Sequence, residues 1–119
     1  MATFDLNHVA LTTVIADISS AGQVFIAIPD DYSGEIIEVR TALGGAIANV
    51  DAGITLKINA VAVTNGTLTV GFSGSAAGDV DTARPTGANA VAPGDAIEIE
   101  TDGASTNAVA LHVTVVIRR

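Results

Sequence analysis

Few residues in this chain could do chemistry. Its two histidines, His8 and His112, are the side chains whose ordinary pKa lies near neutrality, so proton transfer or metal binding would fall to them first. Neither belongs to an HxH or HExxH spacing and the chain has no Cys, so the sequence offers no thiolate or paired-imidazole metal site. His112 alternates with Leu111 and Val113 and is expected to point away from their face, toward solvent or a neighbour. Gly71-Phe72-Ser73-Gly74-Ser75 comes near the G-x-S-x-G nucleophile elbow. It has Ser where the last Gly should stand and no helix pattern after it, so it reads as a strand exit. Members of a Ser-His-Asp triad need not be close in sequence. A hydrolase using His8 or His112 therefore stays an alternative.

The carboxylates give a second test. Asp79-Val80-Asp81 and Pro29-Asp30-Asp31 place acids close together on loops, a donor type that hard cations take. Neither run has the spaced ligands and closing Glu of an EF-hand loop. Solvated loop acids are the reading, with a loop calcium as its alternative. Glu98 and Glu100 share one face of a strand, where charge keeps the sheet soluble and blocks edge pairing. No glycine-rich phosphate cradle is present, because Gly44-Gly45 is not followed by Lys-Ser/Thr. Carbohydrate-binding sandwiches present aromatic platforms, and with no Trp and one Tyr that reading loses its physical support. No catalytic residue, cofactor or metal is assigned, and the chain reads as a non-enzyme.

Composition narrows the classes further. The chain has 119 residues, thirteen acids against five cations and a formal charge of −8, so no basic patch can neutralise a run of phosphates and no nucleic-acid partner is expected. No apolar run approaches the roughly 18 residues of a membrane span, and Met-Ala-Thr-Phe-Asp does not read as a secretory signal. Hydrophobic residues make up 49% of the chain, but 21 of them are Ala, so the core is expected to be thin and poor in aromatics.

The elements that would carry these residues are strands. Ile54, Leu56 and Ile58 alternate with Thr55, Lys57 and Asn59, the pattern of a half-buried strand. Asn65-Gly66 predicts a two-residue hairpin turn, because both residues tolerate the positive φ that a type I′ turn requires. The return strand is expected over 67–72, with Leu68, Val70 and Phe72 on one face. Residues 23–28, 35–43, 96–100 and 108–117 read as further strands, and His8–Ile18 as an opening one. In 35–43, Ile37, Val39 and Thr41 are expected on one side. In the closing strand Val109, Leu111, Val113, Val115 and Ile117 share a face. The stretch 42–50 makes only a poor helix because of its Gly pair. Seven or eight one-sided strands joined by turns predict a single all-β domain, a small antiparallel β-sandwich of jelly-roll type. Residues 73–95 show no period and read as a long loop, and 1–10 as an extended N-terminal arm.

The run Ile54-Thr-Leu-Lys-Ile-Asn, then Gly66-Thr-Leu-Thr-Val, then Gly74-Ser-Ala-Ala-Gly-Asp-Val-Asp-Thr-Ala-Arg-Pro-Thr, then Val91-Ala-Pro-Gly-Asp-Ala-Ile-Glu-Ile resembles small virion proteins of tailed bacteriophages. The similarity covers roughly residues 24–117 in order of elements, and its most specific part is 74–99. It implies a head decoration, or cement, protein: a β-sandwich, often trimeric, bound to the major capsid protein on the outer surface of the phage head and made in the host cytoplasm. Under this reading the 73–95 loop and the 1–10 arm make the trimer or capsid contacts, with Phe4, Asp79, Asp81, Arg84 and Pro85 as the contact residues. A head-fibre, spike or tail-associated module that attaches to a host surface is the alternative.

Overall fold

Alternating β-branched residues cannot stay helical without exposing half of their apolar side chains, whereas a pleated strand turns them all to one face. The computed structural model describes residues 7–119, among which there is no helix, and so none long and apolar enough to cross a membrane. The strands are β1 (His8–Ile15), β2 (Gly22–Ala27), β3 (Gly34–Leu43), β4 (Ala52–Ile58), β5 (Val61–Val70), β6 (Val80–Ala83), β7 (Ala90–Val91), β8 (Ala96–Thr101) and β9 (Leu111–Arg118). One sheet runs β1-β9-β3-β6, with β7 on the same edge of β3 as β6; the other runs β2-β8-β4-β5. All pairings are antiparallel. Taking β6 and β7 as two pieces of one interrupted strand, eight strands fill two four-membered sheets in jelly-roll order. Apart from the β4–β5 hairpin and the β6–β7 link, each connection crosses from one sheet to the other.

The inner strands supply the most deeply buried side chains. Leu111, Val113, Val115 and Ile117 of β9 face Ile97 and Ile99 of β8 and Ile54 and Leu56 of β4 across the interior. The core is aliphatic, as the composition implies, and the alternation expected for the closing strand is the one observed.

Four local expectations are corrected. The β4–β5 hairpin turns at Asn59-Ala60, whose φ values are 48° and 68°, and not at Asn65-Gly66. The Asn59 amide is held from outside the hairpin: it donates to Asp95 Oδ1 and accepts the Ala96 N–H. Asn65-Gly66 instead lies within a bulge of β5. Between the pairs Thr55–Thr67 and Lys57–Ala62, β4 advances two residues while β5 advances five. The bulge reaches across to the other sheet, where Thr64 bridges Gly87 and Asn65 bonds Thr86. Phe72 does not continue the inward row of β5, which stops at Val70; Phe72 is 39% exposed.

In β3 a second bulge between Ile36 and Glu38 turns Ile36 inward in place of Ile37. The 73–95 segment is not one long loop. It holds β6 and β7, which are too short to leave a period in the sequence, and both are tied to β3.

Candidate interaction surface

The two histidines do not form a site together. His8 lies opposite Arg118 and His112 opposite Val14. They are six residues apart along one ladder, about 20 Å at the rise of a strand. His112 is exposed, as the alternation predicts. Ser73 lies exposed in the turn after β5, with no helix behind it. Among the described residues no three His, Cys, Asp or Glu side chains group in a way that would hold a metal ion. Glu98 and Glu100 lie on the outer face of the second sheet, where Glu100 pairs with Lys57 at 3.2 Å. Asp30 and Asp31 are exposed in the β2–β3 connection.

The contact residues expected on 73–95 lie along one edge but face different ways. Asp79 closes the turn before β6, its Oδ2 accepting the Ala76 N–H at 2.9 Å. Asp81 sits opposite Thr41, on the core side of β6. Arg84 lies on the outer side, 69% exposed, and its Nη1 meets Glu38 Oε2 at 3.1 Å. The other oxygen of Glu38 takes Arg40 Nε at 3.0 Å. Pro85 is buried and so presents no surface to a partner. Phe4 lies outside the described residues.

Sequence reasoning missed the loops at one end of the sandwich. Four connections gather there, 16–21, 44–51, 71–79 and 102–110, and they are tied to one another. The Ile18 N–H donates to Val109 O, and Ala48 bridges Thr106. Ser75 Oγ both accepts from Ile47 N–H and donates to Ile47 O, each at 3.0 Å. These loops carry Asp17, Asp51, Asp79 and Asp102 and no Lys or Arg. Each acid also fastens a loop. Asp17 accepts from the hydroxyl and N–H of Ser19, which hold its carboxyl below the usual aspartate range. Asp51 accepts from Phe72 N–H and Asp102 from Ala104 N–H. The sequence shows the acids, but not that four distant loops bring them to one end. Three of the five cations, Arg40, Arg84 and Arg118, lie instead on the strands and edge of the first sheet.

The fold and this surface define a jelly-roll β-sandwich with a cross-tied, acidic loop end. No known protein family matches the sequence. No curated protein matches it either. Solved structures resemble it in fold. The catalytic domain of Agl-KA superposes with a TM-score of 0.51 at 12% identity, covering 94% of this chain and 26% of that one. Dimeric latent PorU from Porphyromonas gingivalis gives 0.50 at 12% identity, covering 95% of this chain and 13% of that one. This chain therefore spans about a quarter or less of these two proteins, and the likeness is one of fold.

Proposed function

We propose that this chain is a structural virion protein, a cement protein that binds the major capsid protein on the outer surface of a tailed-phage head and stabilises the shell. The observation that carries the reading is the cross-tied loop end. Four Asp residues without a cation among them, on loops held by their own hydrogen bonds, make a preorganised surface for a cationic partner. The sequence resemblance supplies the identity of that partner. A jelly roll whose loop side chains are engaged in holding its own loops suits clamping and not turnover.

The test is a pull-down of the purified chain on empty capsids across a salt series. Retention at low salt that weakens as salt screens the acidic end is the expected result. Absence of capsid affinity at every salt overturns the proposal. Binding to cells or glycans in its place would select the host-attachment alternative.

A further inference from the structure

The two sides of the sandwich are finished differently. On the β5/β6 side the edges are guarded: β5 is broken by its bulge, β6 and β7 are short, and Asp81 points inward from β6. The core-facing Val63, Leu68 and Ala83 are buried there. On the opposite side β1 and β2 lie next to each other as the edges of their sheets. β1 pairs with β9 in unbroken register over eight residues. Neither β1 nor β2 contains Asp, Glu, Lys, Arg or Pro. Their core-facing side chains Val9, Leu11, Val24 and Ile26 are only partly buried, and Phe25 on β2 is 57% exposed. Among the described residues, this long, regular edge without Asp, Glu, Lys, Arg or Pro lacks each device that keeps sheet edges from pairing with another chain.

We infer that the β1/β2 side is an interface between two copies of this chain, in which β1 of one copy pairs antiparallel with β1 of the other. Charge selects a second copy as the occupant. In a chain of net charge −8, these two strands carry none of the acids, so this side can meet itself without opposing carboxylates. Register agrees. Arg119 N–H donates to Asn7 O, and antiparallel bonding alternates, so Val9, Leu11, Thr13 and Ile15 bond β9 while the N–H and C=O of Ala10, Thr12 and Val14 point to the open edge.

A two-fold axis at Thr12 sets Thr12 against Thr12 and Ala10 against Val14 as bonded pairs. It also sets Val9 against Ile15 on the core side, which extends the apolar interior across the contact. Eight residues span about 27 Å and two stacked sheets with their side chains about 20 Å, giving roughly 1,000 Å² buried in total, the lower bound of a specific interface. The contact joins copies in pairs, uses none of the acidic loop end, and does not rest on the capsid reading.

Thr12→Pro tests it, because it removes an N–H that faces the open edge and leaves the β9 ladder intact. Sedimentation velocity on the wild type is expected to give a mass twice that of Thr12→Pro, with the same far-UV circular dichroism for both. Thr12→Lys, a natural kind of edge guard, should halve the mass as well and serves if the proline variant does not fold. Thr82→Lys on the guarded side should leave the mass unchanged. A wild-type mass of one or three chains overturns the inference. So does a folded Thr12→Pro or Thr12→Lys variant that keeps the wild-type mass.

Discussion

Thr41 and Asp81 face each other across the β3–β6 ladder, on the side turned toward the core. Thr41 is 1% exposed, and its hydroxyl has no hydrogen-bond partner among the described residues. A carboxyl thus sits beside a buried hydroxyl on the core side of an edge strand.

That relationship makes the β6 edge sensitive to pH. Burial, and then the like charge of Asp79, hold the Asp81 carboxyl above its ordinary value. A raised value in the fold favours the protonated form. Its contribution to stability is therefore full below the ordinary aspartate pKa of about 4 and is lost as pH rises through the raised value. Asp81→Asn should raise Tm at neutral pH by about 1–2 °C, a small gain because most of the carboxylate is open to solvent. The gain should disappear near about pH 3, where Asp81 is protonated. Calorimetry at the two pH values checks this, and an equal gain at both would exclude an electrostatic origin.

The β4–β5 turn holds a residue in a conformation that its side chain disfavours. Ala60 has φ +68°, where a Cβ crowds the following carbonyl and glycine does not. Ala60→Gly should stabilise the fold by about 0.5–1 kcal/mol, the relief of strain exceeding the entropy that glycine adds to the unfolded chain. Urea denaturation should show a higher midpoint with an unchanged m-value.

Gly66 is the opposite case. Its φ is not positive, and what matters is space: a Cβ there would lie 3.0 Å from Val63 Cβ and 3.2 Å from Leu56 Cβ. The β5 bulge folds back tightly over β4 at this point, and an added methyl must push the two strands apart. Gly66→Ala is expected to cost about 1–3 kcal/mol, as overpacking does in a close-packed interior. Equilibrium unfolding measures it, and a neutral result would mean that the bulge relaxes freely.

The strand set was legible from sequence wherever a strand was long and one-sided, as in Leu111 to Ile117 or Ala96 to Glu100. It was not legible where a distant partner decides the outcome. Asn65-Gly66 has the stronger turn chemistry, and Asn65 does take a positive φ of 59°. The hairpin nevertheless closes at Asn59-Ala60, because Asp95 and Ala96, 36 and 37 residues away, satisfy the Asn59 amide. The shift from Ile37 to Ile36 arises from a bulge, which leaves no mark on a period of two. For the surface, the sequence shows Arg84 but not its partner Glu38, and it shows four loop acids but not that their loops meet. The buried position of Pro85 depends on how the segment between β6 and β7 folds back, which composition does not encode.

The loop end depends on one hydroxyl. Ser75 Oγ accepts from the N–H of Ile47 and donates to its C=O, so one side chain serves both backbone groups of a buried residue and ties the 71–79 loop to 44–51. Ser75→Ala removes both bonds and leaves the Ile47 backbone groups desolvated without partners, a cost of about 1–3 kcal/mol. Tm should fall by about 4–12 °C, at about 4 °C per kcal/mol for a domain of this size. The Ile47 amide should exchange with solvent faster than those of β8 and β9, because the opening is local. Ser75→Thr keeps a hydroxyl at the same position and should recover most of the loss. If Ser75→Ala lowers Tm while Ile47 keeps its protection, the two loops are held together by packing and not by this hydroxyl.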